Sequence, residues 1–390
     1  MATLIQINIC SAVLSTGKIA EDIAKVATRH GWDCYTAWGR SAKPSISKQI
    51  RIGNKIDTYH HFIANKFFDL EGLASKRSTR ELINKIQEIK PDIIHLHNIH
   101  DHYLNYPILF KFLADNAIPV VWTQHDCWSF TGGCMYYDIY NCEQWKNQCN
   151  NCPEHRALFY DNTEMQFELK KEMLSKIKKI VYVPVSNWLA NSLSESHQKK
   201  RPIITIHNGI DVNVFKPSRL KKNDEKFRIL GVAAVWSKRK GLDDFIKLRS
   251  MLPMEFEITI IGLNKDQIKS LPHGINGISR TTNIQELVNF YSEADVFVNP
   301  TYSDNFPTTN IEALSCGTPV ITYNTGGSPE AIDEKTGIII DKGNIKGIAN
   351  AIIEMKNSPL SAEDCRKRVE MLFDKDKCFE KYIQLYESLL

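Results

Sequence analysis

The stretch from Asn299 to Glu330 constrains the fold more than any other: N-P-T-Y-S-D-N-F-P-T-T-N-I-E-A-L-S-C-G-T-P-V-I-T-Y-N-T-G-G-S-P-E. Ala294 to Val298, just before it, is a mostly apolar run of strand length. Pro307 suits the first turn of a helix, where its missing N–H costs nothing. That helix carries Ile311, Ala313 and Leu314 towards a core and stops before Gly317, a suitable C-terminal glycine. Thr318 to Tyr323 reads as the next strand, and Gly326-Gly327 as a sharp turn. The result is a strand-helix-strand unit of a parallel sheet. Asp304 falls on the loop after the first strand, with Asn305, Phe306 and Pro307 leading into the helix, and Glu312 falls inside the helix. The first amides of the helix, around Thr308 and Thr309, form an anion site. A loop carboxylate, a helix start and a second carboxylate further in make a pocket for a ligand with phosphate at one end and hydroxyls at the other.

At 390 residues the chain exceeds one ordinary core and suits two α/β domains. Its 43% hydrophobic and 24% charged residues are those of a soluble globular protein. The N-terminus, M-A-T-L-I-Q-I-N-I-C, reads as a strand and lacks the basic start and long apolar run of a signal peptide, so a cytoplasmic location is expected. Nowhere does the apolar content reach the roughly 18 consecutive residues of a membrane span. The net charge of +4 indicates no nucleic-acid partner. Basic runs at Lys170-Lys171, Lys176 to Lys179, Lys199 to Arg201 and Arg219 to Lys222 fit solvated faces, or peripheral docking on an anionic membrane.

Leu4 to Ile9 reads as a buried strand, followed by a glycine turn at Ser15-Thr16-Gly17-Lys18 and a helix with Ile19, Ile23, Ala24 and Ala27 on one face. G-x-G-x-x-G is absent, so this is no dinucleotide fingerprint. Strands over Cys34–Trp38, Asp92–His97 and Pro119–Gln124 follow, with helices over Thr58–Leu73 and Arg77–Ile89. Strand ends face the ligand crevice in open α/β sheets, which places His97, Asn98, His100 and His125-Asp126 near it. His60 and His61 fall outside the chemistry. Further on come a helix Glu164–Lys178, a strand Ile180–Val185, a helix capped by Ser186, and a strand Pro202–Ile206. Arg219 to Glu225 is charged and poor in apolar residues, the natural linker. Phe227–Trp236 opens the second half, with Lys240-Gly241 at a helix start.

Ten cysteines without an export signal point to thiols or metal rather than disulfides. Four of them, Cys134, Cys142, Cys149 and Cys152, are spaced C-x7-C-x6-C-x2-C in loop-like sequence. They read either as reduced thiols or as a closed, structural zinc site that would fix a long loop.

Asp304 and Glu312, with seven residues between them and followed by E-A-L-S-C-G-T-P-V, resemble the E-x7-E signature of the retaining glycosyltransferases of family 4. The family's first position is usually Glu; here it is Asp. H-N-G-I-D-V-N-V-F-K-P (207–217) resembles the family's exit from its first domain. W-T-Q-H-D-C-W-S-F-T-G-G-C (122–134) resembles a subgroup that builds capsular and exopolysaccharide repeats. The resemblance implies a GT-B fold: two Rossmann-like domains with parallel sheets facing across a central cleft. Residues 1–211 would be the acceptor-side domain, 212–373 the nucleotide-sugar domain, and helix 374–390 would pack back on the first. It implies a UDP- or GDP-sugar donor, a saccharide or polyprenyl-linked oligosaccharide acceptor, retention of anomeric configuration, and no cofactor or metal in the chemistry. Catalytic roles would fall on His125, Asp304 and Glu312, with Glu312 holding the ribose hydroxyls. The donor would be bound by Gly17, Lys18, Lys240, Asn305, Phe306, Pro307, Thr308, Thr309 and Glu312. The family's Arg upstream of its Lys-Gly is Val235 here, so Lys238 or Arg239 would have to stand in. Two other classes share the fold, a nucleotide-sugar epimerase and a non-catalytic sugar-binding protein. Donor consumption with and without an acceptor separates all three.

Overall fold

The computed structural model describes residues 1–154, 157–218 and 226–390. The stretch 219–225, expected above to be the linker, lies outside the described residues. The chain divides into two units, Met1–His207 with Phe379–Leu390, and Asn208–Cys378.

In the first unit six strands, β1 (Thr3–Ser11), β2 (Asp33–Ala42), β3 (Lys48–Arg51), β4 (Ile93–Leu96), β5 (Val120–Gln124) and β6 (Ile180–Pro184), form one sheet in the order β3-β2-β1-β4-β5-β6. Every pairing is parallel. Every residue of β4, β5 and β6 is buried, as expected of a parallel sheet covered on both faces. The covering helices are α1 (Leu14–Arg29), α2 (Lys55–Phe68), α3 (Lys76–Ile89), α4 (Tyr106–Asp115), α5 (Thr163–Lys176) and α6 (Asn187–Glu195). α1 buries Ile19, Ala20, Ile23, Ala24 and Ala27, a spacing of three and four residues that lays one apolar stripe on the sheet.

The second unit repeats the plan. Strands β7 (Phe227–Val232), β8 (Phe256–Ile261), β9 (Ile275–Ile278), β10 (Val296–Asn299), β11 (Val320–Tyr323) and β12 (Gly337–Ile340) lie in the order β12-β11-β10-β7-β8-β9, all parallel. Its helices are α7 (Leu242–Met251), α8 (Lys265–Lys269), α9 (Ile284–Glu293), α10 (Thr308–Ser315), α11 (Ile345–Asn357) and α12 (Ala362–Leu372). The core gathers Phe245 and Leu248 from α7, Ile258 and Ile260 from β8, and Ile348 and Ile352 from α11. The last helix, α13 (Lys375–Leu389), starts in this unit, where Lys375 N donates to Ile210 O. From Phe379 onward it belongs to the first unit, where Tyr382 and Tyr386 are fully buried.

In each sheet the strand order reverses once, between β1 and β4 and between β7 and β10. Loops leaving the carboxyl ends of strands on either side of such a switch point open a crevice for ligands. The loops after β7 and β10, and those after β1 and β4, are therefore where each unit can bind something.

The structure departs from the sequence-based expectations in places. No glycine turn joins β1 to α1; the turn is made by Ala12 and Leu14 at φ 55° and 59°, and Gly17 and Lys18 stand within the start of α1. The buried Gly17 is there for space, since a Cβ would come 2.9 Å from Cys10 Sγ. The segment Pro202–Ile206 makes one bridge, Ile203 to Tyr182, instead of a full strand. β3, α4, α8 and β9 were not anticipated.

Candidate active site

At the switch point of the second unit two loops are locked together. Gly241 is left-handed, at φ 75°, and a Cβ there would lie 2.2 Å from Pro300 O. Across this seam Tyr302 N donates to Arg239 O at 2.8 Å, and Arg239 Nη1 donates to Ser303 O at 2.7 Å. The seam puts two cations on Asp304: Lys240 Nζ pairs directly with Oδ2, and Arg239 Nη1 lies 3.9 Å from it. A second glycine holds the other side. Gly326, at φ 52°, lies so close that a Cβ would sit 2.0 Å from Asp304 O, and Gly327 N donates to that oxygen at 3.0 Å.

α10 begins directly behind this loop. Pro307 stands at its N-cap, one residue before the position expected for it, with no side-chain cap and no acidic residue in the first turn. The positive end of the helix is thus left for a ligand anion. The buried Asn310 fixes the helix to the sheet, accepting from Asn299 Nδ2 at 2.8 Å and donating to Ser328. Inside the helix Glu312 is half-buried, and Tyr291 Oη donates to its Oε2 at 2.9 Å. Burial and the Glu312 carboxylate hold the Tyr291 hydroxyl well above its usual range, so it stays a donor.

In the first unit the ends of β4 and β5 carry a row of histidines. His95 lies between Thr123 Oγ1 (2.7 Å) and Tyr386 Oη (2.6 Å). His97 Nε2 lies 2.9 Å from Gln6 Oε1, and Gln6 Nε2 donates to Ala20 O, so the amide oxygen faces the ring. His97 therefore donates through Nε2 and accepts through Nδ1, which lies 3.1 Å from His125 Nε2. His125 Nε2–H is the donor of that bond. Burial holds His95 and His97 well below the usual value and lowers His125 to about 4, so all three rings are neutral at pH 7.

His100 behaves oppositely. Burial alone would lower it, but Asp126 Oδ2, 2.9 Å from Nε2, outweighs burial and raises it to about 9. Burial would raise Asp126, but the same pair keeps it below the ordinary carboxylate value. Its other oxygen accepts from Trp128 N at 3.0 Å. Asp126, left without a role by the sequence, thus serves His100 and the turn after β5.

Residues 16–214 match the profile of "Glycosyltransferase Family 4", and residues 215–371 that of "Glycosyl transferases group 1". The chain belongs to glycosyltransferase family 4. WcaC of Escherichia coli (strain K12), named for colanic acid biosynthesis, is 22% identical over 99% of this chain and 100% of its own. Among solved structures, a sucrose-phosphate synthase from Thermosynechococcus elongatus superposes with a TM-score of 0.75 at 16% identity, covering 100% of this chain and 99% of that one. Anabaena HepE, solved in complex with UDP, gives 0.67 at 14% identity over 100% of both chains. The two six-stranded parallel sheets are those of the GT-B fold.

Of the residues expected to act, this glycosyltransferase brings together Lys240, Asp304 and the Asn305–Thr309 segment at one switch point, with Glu312 further along α10. Asn305, Phe306 and Pro307 are buried, while Thr308 and Thr309 at the helix start are half-buried. Val235 is 74% exposed, and Arg239 is the nearby cation that turns onto the Asp304 loop. Gly17, Lys18 and His125 belong to the first unit, at the β1 and β5 ends of its sheet. Sequence reasoning missed Tyr291 as the partner of Glu312, the buried His100–Asp126 pair, and Gln6 as the group that orients His97. No spacing rule signals such pairs, because each joins residues from separate elements.

The first unit also holds a pocket of about 350 Å³, lined by Asn65, Glu71, Asp101, His102, Gly133 and Gln166 among others. Gln166 Oε1 is buried there without a hydrogen-bond partner among the described residues. Cys134 and Cys152 form part of its wall, and with Cys142 and Cys149 they also line a neighbouring cavity of about 20 Å³. No helix among the described residues is long and apolar enough to cross a membrane.

Proposed function

We propose that this protein is a retaining glycosyltransferase that moves a sugar from a nucleotide-sugar donor, a UDP- or GDP-sugar, to a saccharide or lipid-linked saccharide acceptor in surface polysaccharide biosynthesis. The observation that carries this reading is the switch point of the second unit. Two cations and an uncapped helix start meet there, with a half-buried carboxylate further along the same helix. That order of charges suits a diphosphate followed by ribose hydroxyls. The diphosphate would draw Lys240 and Arg239 from Asp304 and take the amides of Thr308 and Thr309, while Glu312 accepts from the ribose. Asp304, released from Lys240, would stand beside the donor sugar. Charge on the leaving group is then met by fixed donors, which is the largest lever available to an enzyme of this kind. We further propose that His125 serves the transfer step rather than donor binding. The name of the Escherichia coli relative supports a polysaccharide product, and the Anabaena structure supports a UDP donor. The pocket of the first unit, with Gln166 Oε1 and the carboxylates of Glu71 and Asp101, suits a hydroxyl-rich acceptor.

The test is transfer. Purified protein with UDP- and GDP-sugars and a panel of saccharide and polyprenyl-linked acceptors should yield a product whose anomeric centre, read by NMR, keeps the donor's configuration. Donor conversion without acceptor would favour an epimerase. Donor binding without turnover on any acceptor would favour a binding protein.

A further inference from the structure

The segment between β5 and α5 is long; among its described residues it holds three short 3₁₀ turns and no longer element, and still buries Trp128, Phe130 and Trp145. Segments of this length without secondary structure are uncommon in compact domains and need something to fix them. Its four cysteines, 134, 142, 149 and 152, all line one cavity of about 20 Å³, room for roughly one water-sized sphere. Burial holds the Cys134, Cys149 and Cys152 thiols above their usual value, with the nearby backbone of Tyr136, Gly132 and Glu154 acting the other way. Gly132 leaves the cavity wall room to close, since a Cβ there would meet Thr163 Cγ2 at 2.3 Å and Cys149 Cβ at 3.1 Å. All four are free cysteines, and among the described residues no three metal-binding side chains yet meet at ligating distance.

We propose that Cys134, Cys142, Cys149 and Cys152 turn inward onto one structural Zn(II), in a closed thiolate site that fixes this segment and one wall of the 350 Å³ pocket. Each thiol gives its proton to solvent as it ligates. Four thiolates leave no open coordination position, so the ion has no part in the chemistry. Zinc fits better than calcium or magnesium, which take oxygen donors. Cys134 and Cys152 line both cavities, so the ion would hold the wall on which the acceptor is proposed to rest. That last clause depends on the proposed function; the metal site does not.

Full-length protein purified without chelator or added zinc is analysed for metals by mass spectrometry. About one equivalent of zinc is expected, with an X-ray absorption edge fitted by four sulfurs at about 2.3 Å. Cys142→Ser should lose at least tenfold in zinc retained against a chelator, while Cys378→Ser, outside the cluster, keeps it. If Cys142→Ser does not fold, the metal content of the unaltered protein decides alone. Less than about a tenth of an equivalent of zinc with four freely titrating thiols, iron in place of zinc, or a disulfide among the four would each overturn the proposal. A folded Cys142→Ser is further expected to raise acceptor KM severalfold with donor Kd unchanged. If zinc is present but acceptor KM does not move, the site stands and the placement of the acceptor fails.

Discussion

At the scale of single residues, the proposed donor site rests on Lys240 and Glu312. One charge-assisted contact to a diphosphate, or a carboxylate holding ribose hydroxyls, contributes about 1.5–3 kcal/mol. Lys240→Ala and Glu312→Gln should therefore each weaken UDP- or GDP-sugar binding by roughly 10- to 100-fold in calorimetry, with the melting temperature of the free protein nearly unchanged. His125 belongs to the other unit, so removing it leaves these donor contacts in place. His125→Ala is expected to lower kcat by roughly 10²-fold or more and to move donor Kd by less than about fivefold. A large loss of donor affinity with turnover intact would make it a ground-state ligand instead. His100 makes a different prediction. Its folded value, about 9, lies above its ordinary 6.5, so the folded protein holds the proton more tightly. The stability this adds is fully present below about pH 6.5 and is lost as pH rises through about 9. The gap in denaturation midpoint between the unaltered protein and His100→Gln should be widest near pH 6 and shrink towards pH 9.5. A gap that does not vary with pH would mean that His100 is neutral in the fold.

At the scale of elements, two loops and one helix start make the proposed donor site, and glycines set their spacing. Gly326 has a left-handed backbone, and its α-carbon is packed on the carbonyl of Asp304. An alanine there meets both backbone strain, about 1–2 kcal/mol, and a clash that something must move to relieve. Since Gly327 N also holds that carbonyl, the segment that moves carries Asp304 and the start of α10. Gly326→Ala should lose about 2 kcal/mol or more of stability in urea denaturation and also weaken donor binding. Gly133→Ala, where an added Cβ meets nothing within 4 Å, serves as the tolerant control. The histidine row of the first unit is a comparable device. Its members are neutral because they are buried, and the Gln6 amide oxygen fixes which nitrogen of His97 carries the proton.

At the scale of the whole molecule, the chain's last helix completes a unit that it left long before in sequence. Tyr386 Oη bonds His95 Nδ1, and Tyr382 Oη bonds Thr123 Oγ1, both beneath the strand ends that carry His97 and His125. Tyr386→Phe should cost about 1–3 kcal/mol, because it strands a buried ring nitrogen. Removing residues 379–390 takes Phe379, Tyr382, Ile383 and Tyr386 out of the core and should abolish the cooperative calorimetric transition of the first unit. An unchanged transition would mean that the helix is dispensable. Much of this fold is legible in the sequence by itself. Apolar runs of strand length alternate with amphipathic helices, and that alternation fixes a parallel α/β architecture. The run from Asp304 to Glu312 places a carboxylate, a helix start and a second carboxylate within one local unit, so that juxtaposition can be read from spacing. What spacing cannot supply is any contact between distant elements. Lys240 on Asp304, Tyr291 on Glu312, His100 on Asp126 and Tyr386 on His95 were decided by tertiary structure, because each partner arrives on a different strand end or helix. Tertiary structure also settled protonation: one histidine is held charged by a carboxylate 2.9 Å away, and three are held neutral by burial.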